Sequence, residues 1–274
     1  MKSLALVGLL SATLLAQTPF DLYPGRKKIL AIGDTRTGFQ HDSVSHALST
    51  IERLGYESGA YITFIRTDSQ LLTKQKIERH DPRTPSLAAN VNAKNLDYFD
   101  AIFFMGTGEG DLTDQQKKDL LSFVHDDGKG FIAAHTGDDA FFTWPEFGEM
   151  VGAYYDNHPW GVFDAPIIVE DPSFPAMQAF PRSFFTLRDE IYVHKAPFSR
   201  DKVHVLARLD ASKLDFSKAK DLHRTDKDFP VAWTKTYGKG RVFYSTFGHL
   251  PETWDNPAIQ KMYFEAIKWA LGER

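Results

Sequence analysis

Short, continuous apolar runs alternate along this chain with segments whose apolar residues recur every three or four positions, and that alternation most restricts its fold. Lys28-Ile29-Leu30-Ala31-Ile32-Gly33, Tyr61 to Ile65, Ala101 to Met105 and Phe131 to Ala134 are the runs. The first and third read as strands buried on both faces, as in a parallel sheet, and the second and fourth as further strands. After the first run, Val44, Ala47, Leu48, Ile51 and Leu54 make one helical stripe. It is expected to open at Asp42 or Ser43 and to stop at Gly55. After the third, Thr113 and Gln116 have the spacing of a capping box, with Gly128 closing the helix near Asp127. Val231–Thr236 and Arg241–Thr246 flank Tyr237-Gly-Lys-Gly240 as a hairpin. Asn256 and Pro257 open a last helix whose stripe is Ile259, Met262, Tyr263, Ala266, Ile267 and Ala270, and Gly272 ends it. The alternation predicts an α/β fold with an open, mostly parallel sheet and helices on both faces. The polar stretch Arg79 to Leu96 reads as a loop. From about 144 to 229 prolines recur and short β-like runs appear at Pro166–Val169 and His204–Leu206, a β-rich insertion in the same domain.

Four histidines stand where strands should end: His41 in Gly38-Phe39-Gln40-His41-Asp42-Ser43, His135 after Phe131 to Ala134, His158 in Asp156-Asn157-His158-Pro159, and His249 in Phe247-Gly248-His249. In an open α/β sheet, ligands bind outside the carboxyl ends of the strands. Histidine offers a proton carrier or a metal ligand near neutral pH. His41 lies near a helix N-terminus, which favours a neutral ring. His135 sits at the strand-to-helix turn that carries the nucleophile in hydrolases, where an imidazole suits acid–base chemistry or metal binding better than acyl transfer. His41, His135, His158 and His249 together have the ligand types for a zinc-like divalent metal, although no H-E-x-x-H or H-x-H spacing is present. Glu190 is the candidate acid–base partner, and Tyr192 could stack on or bond a sugar. Asp138 and Asp139 read as salt-bridged surface, and Trp233, Tyr244, Trp254 and Trp269 as packing. His46, His80, His125, His204 and His223 read as surface or structural. Gly106-x-Gly-x-Gly110 lies outside a first βα turn, so a tight turn is expected rather than a dinucleotide site.

Composition narrows the class. Of the 274 residues, 42% are hydrophobic and 25% charged, the balance of a soluble globular protein. A net charge of −4 gives no case for nucleic acid or an anionic membrane as partner. With no cysteine in the chain, disulfides, thiolate ligands and a cysteine nucleophile are excluded. Lys2 followed by the apolar run Leu4 to Ala16 reads as a secretory signal peptide over residues 1–16, with a mature domain from 17 to 274. A periplasmic or secreted location is therefore expected, with no membrane attachment after cleavage.

Taken together, several segments resemble the ThuA-like (trehalose-utilisation) family. They are Thr37-Gly-Phe-Gln-His41-Asp-Ser-Val44, Gly128-Lys-Gly-Phe-Ile-Ala-Ala-His135, Val151-Gly-Ala-Tyr-Tyr-Asp-Asn-His158-Pro159, Asp189-Glu-Ile-Tyr192, Pro230-Val-Ala-Trp233, and Tyr237-Gly-Lys-Gly-Arg-Val-Phe-Tyr244 running on to Gly248-His249. The resemblance implies a flavodoxin-like, class I glutamine-amidotransferase-like fold. It also implies that His135 replaces the elbow cysteine of true amidotransferases, so glutaminase activity is not expected. Family members are linked to disaccharide and keto-sugar catabolism. The extended, charge-rich segment Lys213–Lys227 departs from the family pattern and reads as a surface loop. The expected function is action on a small-molecule sugar, a keto-disaccharide or related glycoside, by proton transfer at His41, His135 and Glu190, giving isomerisation or elimination and cleavage. His158, Tyr192 and His249 are expected to hold the substrate. The alternatives are a non-catalytic carbohydrate-binding protein and a metal-dependent hydrolase. A homo-oligomer is compatible with all three.

Overall fold

The computed structural model describes residues 22–77, 94–219 and 221–273. The signal-peptide expectation, His80 and most of the expected loop at 79–96 lie outside those residues. Four of the apolar runs form β1 (Lys27–Ile32), β2 (Tyr61–Arg66), β3 (Ala101–Phe104) and β4 (Gly130–Ala134). The C-terminal hairpin supplies β10 (Pro230–Tyr237) and β11 (Gly240–Ser245), between which the expected turn is closed. The insertion supplies β5 (Tyr154–Asn157), β6 (Val162–Val169), β7 (Phe184–Glu190), β8 (Val193–Lys195) and β9 (His204–Leu209).

One nine-stranded sheet runs β2-β1-β3-β4-β11-β10-β9-β6-β7. From β2 to β11 all pairings are parallel, in a flavodoxin-like order. From β11 to β7 every pairing is antiparallel. The insertion thus continues the central sheet. Alternating directions also mean that β7 points the same way as β11, so the end of β7 reaches the same edge as the ends of β1, β3 and β4.

Strand side chains alternate between two cores, as the period of two requires. Ile29, Ala31, Phe103, Ile132 and Phe243 face one side. There they meet α1 (Val44–Ser58) and α5 (Pro257–Ala270). Leu30, Ile32, Phe104, Phe131 and Val242 face the other. There they meet α2 (Asp114–His125) and α3 (Pro145–Val151). A short α4 (Pro251–Asp255) precedes α5. The capping box of α2 is formed by Thr113 and Gln116. Asn256 caps α5 by accepting from the Ala258 N–H at 2.9 Å.

The start and end of α1 differ from expectation. Ser43 precedes the helix but makes no capping bond with its side chain; its backbone is already helical, at φ of −74° and ψ of −12°, and not extended as a capping residue's is. Gly55 does not stop the helix, which runs on to Ser58 and closes at Gly59 with φ of 74°. Gly55 is instead the groove for Tyr61: a Cβ there would stand 2.3 Å from the Tyr61 ring. That ring is fully buried, and its hydroxyl donates to Ile51 O at 3.0 Å. Replacing Gly55 by alanine would gain about 1 kcal/mol of helix propensity. Overpacking against a buried ring costs roughly 1–3 kcal/mol and wins. Denaturant unfolding of Gly55→Ala should show a net loss; a net gain would mean that Tyr61 yields freely.

Candidate functional site

The loop after β1 carries His41 to the edge of the sheet, and the glycine-rich loop after β3 holds it there. Gly108, at φ of 83°, approaches Thr37 so closely that a Cβ would meet its carbonyl carbon at 2.4 Å. Thr107 donates from its hydroxyl to Phe39 O at 2.9 Å, and the Gly110 N–H bonds to Thr37 Oγ1 at 2.8 Å. Arg36 spans Asp34 and Asp111 at 3.2 and 2.8 Å. The Gly106–Gly110 stretch is thus a backbone dock for the His41 loop, in keeping with a tight turn.

His135 follows β4 with a positive φ of 43°, a left-handed conformation that few non-glycine residues adopt. Tertiary bonds over-determine it. Tyr244 donates from its hydroxyl to His135 O at 2.9 Å, and His135 Nδ1–H donates to Thr246 O at 2.7 Å. The second bond sets the tautomer and leaves Nε2 with its lone pair facing the site.

The chain leaving β7 crosses back over the edge toward the end of β11. Buried Asp189 accepts from the N–H groups of Gly248 and Leu250 at 2.7 and 3.1 Å, bracketing His249. The Tyr192 N–H bonds to Thr246 Oγ1 at 2.8 Å. Glu190 is thereby placed against three histidines. Its Oε2 lies 3.1 Å from His249 Nδ1 and 4.0 Å from His135 Nε2, and its Oε1 lies 3.4 Å from His158 Nδ1. His135 Nε2 and His249 Nδ1 are 3.3 Å apart. The His41 ring centroid is 5.0 Å from that of His135 and 5.1 Å from that of His249.

The structure therefore brings His41, His135, Glu190 and His249 into one cluster whose ligand atoms all lie within 4.8 Å of one another. The metal-competent set differs from the all-histidine set expected from sequence. Glu190 takes the fourth place, and His158 stands at the mouth with its side chain 47% exposed. Tyr192 is buried, its ring centroid 4.2 Å from that of His135 and its hydroxyl 3.3 Å from His41 Nε2. It backs the cluster rather than presenting a face to open space. Burial holds the His135 and His41 imidazoles below the ordinary histidine range, with neighbouring imidazoles adding to the effect. Burial acts most strongly to lower His249, but its bond to Glu190 together with the charges of Glu190, Asp189 and Asp42 raises it overall.

Beneath His135 lies a second polar group that the sequence reading missed or misplaced. Asp138, expected at a salt-bridged surface, is fully buried. Tyr244, expected only to pack, has its hydroxyl 2.9 Å from Asp138 Oδ1 as well as bonding His135 O. His194 was not singled out among the ten histidines, yet it is buried with Nε2 3.2 Å from Asp138 Oδ2. A lone histidine in an extended run has no spacing signature, and the partner that explains it is remote in sequence. Asp139 is half-buried, which pushes its carboxyl up to about 6.

Burial lowers His194 to about 3. Its folded value is thus depressed below the ordinary histidine value near 6.5. The unfolded chain takes up a proton here that the folded chain refuses, so stability falls as pH drops below about 6.5. His194→Gln should lose less stability between pH 7 and pH 4 than the parent in chemical unfolding. Equal losses in the two proteins would remove His194 as the acid-labile group.

Comparison with known proteins agrees with this architecture. The ThuA family, described as trehalose utilisation, matches residues 28–270. A ThuA-like protein of Bacteroides uniformis superimposes with a TM-score of 0.66 at 18% identity, over 92% of this chain and 95% of that one. A ThuA-like protein of Parabacteroides merdae gives 0.63 at 15% identity, over 90% and 91%. A cytoplasmic protein of Salmonella typhimurium gives 0.54 at 14% identity, over 89% and 99%. At these identities the likeness is one of fold. No curated protein sequence matches the chain. Because the matched region runs from β1 through the last residue of α5, and so takes in all four residues of the cluster, the chain belongs to the ThuA family.

Proposed function

We propose that this chain is an exported carbohydrate-utilisation enzyme that works on a keto-disaccharide or related glycoside, with a divalent cation at His41, His135, Glu190 and His249. The family's description, trehalose utilisation, points to a role in sugar use. The observation that carries the chemistry is the three-histidine, one-carboxylate cluster, buried except for the partly exposed His249, with its ligand atoms within 4.8 Å of each other. Around a tetrahedral cation with bonds of about 2.0–2.1 Å, ligand atoms stand roughly 3.3–3.5 Å apart. The measured separations of 3.1, 3.3 and 4.0 Å bracket that spacing. The His135 Nδ1–H to carbonyl bond is the outer support that metal-bound imidazoles use.

In this reading a cation held by His41, His135, Glu190 and His249 would supply Lewis-acid polarisation at the carbonyl oxygen of the oxidised sugar. His158 is not needed as a ligand and stands at the mouth beside Glu190. It takes the proton from the carbon next to the carbonyl. That electron pair becomes a C=C bond as the glycosidic C–O bond on the following carbon breaks, and the departing oxygen takes a proton from water. The chemistry is elimination, not hydrolysis between two flanking carboxylates, an arrangement this cluster does not offer.

Titration of chelator-treated protein with Co²⁺ tests the centre. One cation per chain is expected, with the visible absorption of a low-symmetry N,O site, and turnover of a keto-disaccharide should fall on chelation and return with metal. Turnover that survives complete chelation would replace the cation by direct proton transfer through the histidines. Sugar binding without any turnover would make the protein a carbohydrate-binding member of its fold.

A further inference from the structure

Lys218 and Asp221, from the segment Lys213–Lys227 that departs from the family pattern, line one side of a groove beside the histidine cluster. The groove has a volume of about 410 Å³ and is lined by Tyr155, Asn157, His158, Trp160, Lys218 and Asp221 among others. That size lies within the range of ordinary small-molecule sites, roughly 300–1,000 Å³. The groove adjoins the cluster, because two of its lining side chains also touch residues of the cluster or its backing. His158 lines it and also approaches Glu190 at 3.4 Å. The Tyr155 ring centroid is 4.4 Å from that of Tyr192, which in turn packs 4.2 Å from that of His135.

That side is built, not loosely draped. Asp210 and Asp215 each close a 3-10 turn by accepting from Ser212 and Ser217. Trp160 Nε1–H donates to Asp215 O at 3.2 Å, and the Trp160 ring packs on Phe216 and Phe229. His223 Nδ1 lies 2.9 Å from Asp156 Oδ2, and Asn157 donates from Nδ2 to Asp221 O. The outer end of the groove therefore combines aromatic surface with an amide, the exposed Lys218 ammonium, which pairs with Asp215 at 3.5 Å, and the exposed Asp221 carboxylate. Aromatic faces take the C–H face of a sugar ring, and such polar groups bond its hydroxyls.

We propose that this groove is the subsite for the second ring of a disaccharide, and that Lys218 and Asp221 on its outer side make the protein select disaccharides over monosaccharides. The inference rests on the sugar reading above and adds which part of the substrate sits where. The first ring occupies the cluster. The second lies past His158 against Tyr155 and Trp160, within reach of Asn157, Lys218 and Asp221.

The test is binding of a keto-monosaccharide and of the matching keto-disaccharide to the full chain loaded with Co²⁺, measured for the parent, Lys218→Ala and Asp221→Gly. Asp221 has a φ of 53°, so glycine keeps the backbone while removing the carboxylate. A hydrogen bond to a sugar hydroxyl is worth roughly 2- to 10-fold in Kd. The parent should prefer the disaccharide at least about tenfold. Each variant should lose about 2- to 10-fold of disaccharide affinity and leave monosaccharide affinity and the Co²⁺ spectrum unchanged. Equal affinity of the parent for both sugars, or a preference that both variants retain in full, would overturn the subsite and leave the sugar reading standing. A parent that binds Co²⁺ but neither sugar would overturn both.

Discussion

Replacing His135 by asparagine should abolish cation binding and turnover together while leaving a folded protein. Asparagine is among the few residues that accept a left-handed conformation, which His135 occupies at φ of 43°. The variant therefore keeps the backbone and removes Nε2, the atom 3.3 Å from His249 Nδ1 and 4.0 Å from Glu190 Oε2. Loss of an outer-shell partner of a metal ligand already costs about 10- to 100-fold in affinity. Loss of a ligand itself should cost more, and turnover per folded molecule should fall by at least the roughly 10²- to 10⁴-fold that a reacting group contributes. Some stability goes as well. Thr246 O would lose its donor, an unsatisfied buried acceptor costing about 1–3 kcal/mol. The measurements are Co²⁺ affinity, turnover of a keto-disaccharide and thermal midpoint on His135→Asn and His135→Gln. A lowered midpoint with undiminished Co²⁺ affinity and specific activity would assign His135 to the core.

Asp189→Ala is expected to be the most damaging change outside the cluster itself. The carboxylate is fully buried and accepts two backbone N–H bonds on either side of His249, at 2.7 and 3.1 Å. Hydrogen bonds to a charged group are worth about 1.5–3 kcal/mol each, and the donors left behind have few alternatives. A total loss of roughly 3–6 kcal/mol follows. At about 2–4 °C per kcal/mol for a domain of this size, the midpoint should drop by on the order of 10 °C. Because the same bonds fix the loop that presents His249, Co²⁺ affinity should also fall by about 10- to 100-fold. Asp189→Asn keeps one acceptor and should land between the two. If Asp189→Ala weakened folding but bound Co²⁺ like the parent, the loop would be held by the rest of its contacts and His249 would not depend on Asp189.

Much of this architecture is written locally. The stretches 29–32 and 101–105 are apolar at every position because both faces of β1 and β3 meet core. The capping spacing of Thr113 and Gln116 and the Asn256-Pro257 start mark helices that form where expected. Such signals are legible because they depend on neighbours three or four positions away. Gly55 shows the limit. As a local signal it ends a helix, but Tyr61 returns on β2 and needs the space, so the helix continues through it. Asp138 was misplaced for the same reason: a charged residue reads as surface unless its buried partner, here Tyr244 from a distant strand, is known.

The sequence by itself determined the parallel half of the sheet, the helices that cover it, and that histidines would stand at strand ends on the carboxyl edge. These follow from periodicity and from the rule that parallel strands end on one side. Tertiary structure alone decided the partnership. The antiparallel continuation of the sheet turns β7 to the same edge, and Asp189 and Tyr192 pin the returning chain to residues 246–250. That closure puts Glu190 into the cluster, leaves His158 at its mouth and buries Tyr192 behind it. No spacing in the chain encodes this choice, because it depends on contacts between segments brought together only when the sheet is complete.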